Sequence, residues 1–599
     1  MERTAALTGS LLLLAAALGV HAQEIVHAVK ADDLAKVRAL VEADPQIVHA
    51  KDPDGRTGLH WACRGVHFEV LRFLVEKGAD VNARDHDGTA PLHSLASKAH
   101  DQGLALLIAR KADVNIKDDE GNTPLMYAAQ SGSLAAVRRL MAHGAEASSR
   151  SYFGYTPLFR AILSKNLEIA ALLIADGAEV DLVFREDYYG DTPLSFAVKS
   201  GHLEMVKLLQ ENGADLRYRT KLGAGLLHFA AATNKAEIAG HLIESGLGID
   251  SVQNGGLTPL HMAAITGGLE AAKLLVARGA TLEAKSKDGG TPLHFAVAAR
   301  NMEIAEFLRR SGAMDTPREF PKYSGKYLGR KPPGAEPEPF VPELFRDIYR
   351  SYSPMVFSPD GKEVFWTGYV LPGVGYQRIW RMREADGTWT APEAAPFSDF
   401  PSWHPMLSAD GRKIYFASDR PKPGGTAALV DLWYAEKQTD GTWSRARHLG
   451  SPPNRDATNE MLPSPAGDGT IYFKAFGPGV RGTQMFKSKL VNGVYEEPVG
   501  IDDLIDANGR DDCADKDHLI TYRYGDPRGA VISIVFHRPD GRWTRPVSMG
   551  DIVHGGQGTS GGVVSPDGKI FFFDQNITPY WVDASFIESL RKEALKTDR

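Results

Sequence analysis

Thr258-Pro259-Leu260-His261 decides the fold of the first half of the chain, because related tetrapeptides begin at Thr57, Ala90, Thr123, Thr156, Thr192, Gly225 and Thr291. Successive starts are 33 residues apart, with one step of 36 between Thr156 and Thr192. Thr caps free backbone N–H groups at a helix start, and Pro takes the first helical position, where its missing donor costs nothing. A second helix should end 21 residues after each start, at Gly78, Lys111, Gly144, Gly177, Gly213, Gly246, Gly279 and Gly312. Glycine enters the left-handed conformation that ends a helix without penalty, so Lys111 should strain or reshape its turn. A pair of short helices cannot bury its apolar face alone, so the repeat implies a stack of pairs closed by a cap at each end.

From Glu24 to about Asp315 the unit resembles the ankyrin repeat. The resemblance implies an all-α solenoid over residues 23–315, with an N-terminal cap and eight repeats. It also implies that His60, His93, His228, His261 and His294 hydrogen-bond to neighbouring turns instead of holding a metal. Asp85-His86-Asp87-Gly88 reads as a turn, since no distal bidentate Glu completes a calcium loop. Members of the family bind partner proteins with the turn tips and the adjoining concave face. Tyr152, Phe153, Tyr155, Tyr188, Tyr189 and Tyr218 crowd the middle tips, and Tyr is a rigid amphipathic anchor for an interface. The same rings could instead stack on one another to stiffen longer turns.

Residues 316–335 turn to Pro and Gly, a linker composition, and helical periodicity ends there. Beyond it Ser358-Pro359-Asp360-Gly361, Ser408-Ala409-Asp410-Gly411, Ser464-Pro465-Ala466-Gly467 and Ser565-Pro566-Asp567-Gly568 recur, each followed by an aromatic strand. These motifs resemble those of WD-repeat-like propellers, including the propeller of the bacterial Tol-Pal system. The resemblance implies an all-β propeller over residues 336–599, so the whole chain is a multidomain protein, an α solenoid followed by β blades. Counting a degenerate unit at Cys513 to Tyr522 gives five four-stranded blades, or six with one divergent unit more. The last unit lacks a fourth strand, and the stretch from Pro339 to Leu344 has the composition to supply it and close the ring.

Aligned on their Ser-Pro-Asp-Gly turns, the units place Pro354, His404, Glu460, Arg510 and Gly561 at equivalent positions near the channel mouth. His404, Glu460 and Arg510, with Trp403, Asn459, Asp511 and Asp512 beside them, form either a polar plug or a site for a metal, a sugar or a peptide. Gly558-Thr559-Ser560-Gly561-Gly562 spells a hydrolase nucleophile motif, but it runs into a propeller strand and not a helix. No P-loop, paired-Cys zinc pattern or zinc-protease helix occurs, so no catalytic residue, metal or cofactor is assigned.

Over 599 residues the net charge is −7 and gives no basic footprint, which argues against nucleic acid. Arg3, an apolar core from Leu11 to Val20 and Val20-His21-Ala22 read as a signal peptide over residues 1–22, too short for a membrane span. The mature chain would begin at Gln23 and be periplasmic or secreted. Its two cysteines, Cys63 and Cys513, offer no disulfide framework. The composite reading is a binding scaffold, one module for a protein and one for a second protein or small ligand. The rival is a propeller enzyme acting on polysaccharide through His404, Glu460, His518 and His537.

Overall fold

The computed structural model describes residues 23–152, 154–183, 190–318, 320–345, 350–351, 353–369, 377–422, 429–478, 483–501, 509–514, 518–526, 529–536, 538, 544–549, 559–575 and 578–597. The proposed signal sequence lies outside them. The chain divides after Tyr218 into two compact units.

In the first unit the helix pairs of the repeat are all present. The tetrapeptides open the helices Gly58–Gly65, Pro91–Ser97, Pro124–Ser131, Pro157–Leu163 and Pro193–Ser200, each followed by a helix of nine residues such as Phe68–Glu76. Thr123 and Thr156 accept the N–H of Met126 and Phe159, the caps that the sequence predicts. The leucine of each motif, Leu59, Leu92, Leu125, Leu158 and Leu194, is at most 1 % exposed and builds the common core. Lys111 adopts the left-handed backbone at φ 65°, where Gly78 and Gly144 sit at 89°, so the turn keeps its shape. Asp85 Oδ1 accepts the N–H groups of Asp87 and Thr89 at 3.0 and 2.8 Å, which is a turn and not an ion loop.

The fourth motif residue is the clasp between repeats. The Thr57 N–H donates to His60 Nδ1 at 3.1 Å, which leaves the ring proton on Nε2 to donate to the Thr89 carbonyl at 3.0 Å. His93 repeats this with Ala90 and Asn122, and in the second unit His228, His261 and His294 do the same with Leu257, Gly290 and Thr316. A second ladder was not foreseen. Lys51 Nζ donates to the Arg84 carbonyl and Arg150 to the Val183 carbonyl, each one repeat ahead in the same column.

The second unit begins with three more helix pairs, from Leu226–Ala232 to Met302–Arg310, and continues into β structure. Among the described residues five sheets of four or more strands follow in a propeller-like arrangement, their first strands lying side by side, with a separate two-stranded hairpin of Leu490–Val491 and Val494–Tyr495. Sheet one is built on Val356–Phe357, Glu363–Tyr369, Gln377–Ala385 and Glu393–Ala394, and two short flanking strands raise it to six. Sheet two is Ser402–Leu407, Lys413–Ser418, Asp431–Glu436 and Arg447–His448. Sheet three is Asn459–Pro465, Ile471–Phe476, Thr483–Ser488 and Val499–Gly500, and sheet four runs from Gly509–Ala514 to Val547–Ser548. In sheet five Thr559–Val564, Ile570–Gln575 and Thr578–Asp583 are joined by Glu338–Pro339, whose residues pair with Trp581 and Tyr580. The ring therefore closes through its two ends, on Glu338–Pro339, while Pro342–Phe345 forms a helical turn.

The Pro- and Gly-rich stretch read as a linker packs against sheets one and five. Tyr327 and Leu328 are buried, and the Tyr327 ring meets Phe357, Phe572 and Trp581 at centroid distances of 5.1 to 6.1 Å. Both residues are left-handed, at φ 53° and 56°. That conformation costs a non-glycine residue ~1 kcal/mol, offset here by aromatic burial.

Candidate functional site

At the solenoid tips the described aromatics divide by role. Tyr152 caps a turn through its N–H to the Glu120 carbonyl at 2.9 Å and leaves its side chain out, at 76 % exposure. Tyr155 is half-buried under the Arg160 guanidinium, 4.3 Å from the ring, and Arg160 is held in turn by Gln130 and Asn122. The Tyr218 hydroxyl donates to the Gly190 carbonyl. Tyr155 thus packs within its own repeat, Tyr218 ties its turn to that of the preceding repeat, and Tyr152 is the described ring offered to solvent. Phe153, Tyr188 and Tyr189 lie outside the described residues.

The fifth repeat holds a charge pair that the periodic reading passed over. Ser195 stands where the clasp histidine would be and donates to Asp191 at 3.0 Å, as does Lys199 at 2.6 Å, with both charged side chains 6 % exposed. Burial lowers the Lys199 ammonium below its usual range, with Asp191 opposing. The signal was the serine breaking the histidine column.

On the first strands of the sheets the pairing register corrects the sequence alignment. The turn of sheet three is closed by Ala466, whose N–H reaches the Thr470 carbonyl, two residues later than the turn assigned from Ser464. Glu460 and Arg510 therefore share a layer with Ser402 and Thr559, paired to Ala475, Tyr522, Ser418 and Gln575. His404 and Gly561 sit in a second layer, where all four first strands bulge: between Trp403 and Met406, Met461 and Ser464, Asp511 and Cys513, and Ser560 and Gly562. A bulge re-aims a side chain, and His404 and Leu462 mark it with φ of 53° and 56°. His404 and Glu460 are not equivalent positions.

Each layer has its own chemistry. The His404 N–H donates to Thr367 at 2.8 Å, and burial, with Lys474 adding, pushes its ring down to about 3, so it is neutral. Glu460 is fully buried. Burial raises its carboxyl to about 7, Asp431 adding to that and the Thr458 hydroxyl donating against it. Arg455 lies 3.7 Å from Glu460 and stacks on Phe486 at 4.5 Å. Asp431 is also fully buried, with Lys422 at 3.5 Å and His448 at 3.3 Å. Asn459 accepts the Val430 N–H at 3.0 Å and is structural, and Trp403 is half-buried in its strand. The side chains of Arg510, Asp511, Asp512, Cys513 and His518 lie outside the described residues, as does His537. Asp431, Arg455 and Lys422 were missed because Lys422 and Arg455 stand on loops and Asp431 lies just ahead of Leu432-Trp433-Tyr434, the residues that mark the third strand. Among the described residues no three His, Cys, Asp or Glu side chains gather as a metal site. Ser560 lies inside a strand opposite Asp574, without the helix that a nucleophile turn needs.

A family model of ankyrin repeats matches residues 25–118, 92–184, 153–220 and 227–317. The N-terminal half of this chain is an ankyrin-repeat array, and a propeller-like β region follows it. The chain is 37 % identical over 59 residues to an acyl-CoA-binding domain-containing protein 6 homolog of Dictyostelium discoideum, covering 10 % of this chain and 20 % of that protein. It is 51 % identical over 51 residues to the serine/threonine-protein kinase VIK of Arabidopsis thaliana, covering 8 % and 12 %. With the human 26S proteasome non-ATPase regulatory subunit 10 it shares 39 % over 49 residues, covering 8 % and 22 %. The chain thus spans about a fifth or less of each of these relatives. The solved human ASB11 ankyrin repeat domain aligns with 38 % of this chain and all of its own, at 26 % identity and a TM-score of 0.35.

Proposed function

We propose that this protein is an exported, non-enzymatic binding scaffold whose ankyrin array grips a protein and whose propeller binds a second protein or a small ligand. The observation that carries the reading is Tyr152, a large ring 76 % exposed on a tip of an array whose repeat is a protein-binding architecture. The rival reading, a polysaccharide-degrading propeller, needs carboxyl and imidazole groups open to substrate. Burial of Glu460 and Asp431 weighs against it. Export rests on residues 1–22, and intact mass of the secreted chain tests it: Gln23 as first residue supports the proposal and a retained Met1 removes it.

Affinity capture with the full-length chain tests the binding role. A partner retained by the wild type and lost on Tyr152→Ala supports the array as the gripping surface. A capture profile identical to that of a tag-only control would end the scaffold reading. Turnover of a soluble polysaccharide that disappears with Glu460→Gln would establish the enzyme instead.

A further inference from the structure

We propose that residues 316–318 and 320–341 form a latch that closes the propeller ring and binds it to the last ankyrin repeat, so that the two open and close as one body. The latch is held at three places along its length. At its start, the Thr316 carbonyl accepts the clasp proton of His294, and Arg318 pairs with Asp288 while lying over the Phe295 ring at 5.0 Å. In the middle, the Tyr323 and Gly325 carbonyls accept the backbone and indole N–H groups of Trp389, each at 2.8 Å, and Lys326 reaches Asp567 at 2.7 Å. At its end, the Asp583 N–H donates to Gly334, Trp581 to Glu338 at 3.1 Å, and the Phe340 N–H to Pro579 at 2.8 Å.

The middle hold bridges two sheets, since Trp389 belongs to sheet one and Asp567 to the first turn of sheet five. Tyr327 is the pin, its ring wedged among side chains of both. Arg318 and Tyr323 are five residues apart in the chain, which limits the span between the last repeat and the ring to at most ~18 Å. A second tie runs beside it, for Arg378 of sheet one donates to the Ala299 carbonyl and to Asn301 Oδ1 at 3.3 Å, at the foot of the last helix pair. A partner that moves the last repeat thus pulls on the seam where the ring closes. The latch is a mechanical route from the last ankyrin repeat to the propeller.

Hydrogen exchange on the full-length chain reads both halves of the proposal. In the wild type, helix Met302–Arg310 and strand Thr578–Asp583 should open together, with matched denaturant dependence. Tyr327→Ala should speed exchange in Thr578–Asp583 by about tenfold. Should that variant fail to fold, Trp389→Phe, which removes the indole donor to Gly325 together with part of the ring packed on Phe357, should still speed it about threefold. Inserting about twelve Gly/Ser residues after Phe320 together with Arg378→Ala should uncouple the helix from the strand while leaving the strand protected. Unchanged strand exchange in both point variants overturns the closure. Matched opening that survives the insertion overturns the coupling.

Discussion

Lys326 and Asp567, 241 residues apart in the chain, meet at 2.7 Å across the seam where the propeller's two ends join. Burial alone would raise the Asp567 carboxyl, but hydrogen bonds from Lys326, Ser565 and the Lys569 N–H outweigh it and hold the group at about 2. A depressed carboxylate stabilises the fold above its unfolded value of 3.8 and stops doing so as pH falls through about 2. Asp567→Asn should therefore remove part of the acid sensitivity of the second unit between those values. The pair is partly exposed, so the effect should stay below ~1 kcal/mol and shrink in molar salt. Melting curves at low and high ionic strength measure it, and identical acid profiles for wild type and variant would contradict it.

The clasp histidines set a dependence of the same sign in the solenoid, at higher pH. Burial lowers His228 and His261 from 6.5 to about 4, with bonds to the Leu257 and Gly290 carbonyls resisting. Between those values the unfolded chain binds more protons, so stability should fall as pH drops from 6.5 towards 4, by up to about 3 kcal/mol per ring. Denaturant titrations followed by circular dichroism at 222 nm should show this slope, and His261→Gln should flatten it.

Glu460 acts in the other sense. Its folded value of about 7 lies above the ordinary 4.5, so the native state holds the proton longer and stability should fall as pH rises through that window. Glu460→Gln keeps a neutral group there and should make the second unit more stable than wild type at pH 8, by up to about 3 kcal/mol. The same change in melting temperature between pH 5 and 8 in wild type and Glu460→Gln would rule out the raised carboxyl.

Lys199 and Asp191 should show the cost of breaking a buried pair. Lys199→Met alone leaves the carboxylate stranded and should cost about 3–5 kcal/mol, whereas adding Asp191→Leu should recover most of that. A double-mutant cycle by urea unfolding reads the coupling directly. Additive losses would mean that the two charges do not depend on each other.

Tyr152→Ala should separate binding from stability. The exposed ring makes no core contact, so the melting temperature should hold, while capture of an array partner should weaken by about 2 kcal/mol if the tip is a hot position. Tyr218→Phe, which removes the hydroxyl bonded to Gly190, should do the reverse. A Tyr152 variant that melts early but still captures would assign the ring to the fold.

Much of this protein was legible in one dimension because its modules are periodic. Residues 33 apart meet the same environment on successive repeats, so Thr, Pro, Leu, His and the Gly column declare their caps, core and clasps without a structure. Asp-Gly turns before aromatic strands declared the sheets in the same way, and the missing fourth strand was traced to the right end of the domain. Lys111 shows the limit of a propensity argument, since the repeats on either side impose a backbone that its own preference disfavours.

What broke the period had to await the fold. A two-residue shift of one turn moved Glu460 out of the His404 layer, because strand register is set by cross-strand pairing and bulges and not by the spacing of turn motifs. Asp431 gained its neighbours Lys422, His448 and Glu460 from three separate segments, which no local pattern links. Composition made residues 316–335 a linker, and only the three-dimensional seam, with Tyr327 buried between the first and last sheets, made them part of the ring. The sequence by itself determined the repeating units, since each is stabilised by contacts that recur at fixed spacing. The tertiary structure decided the closure and the charge clusters, since those depend on residues that chain distance keeps apart and packing brings together.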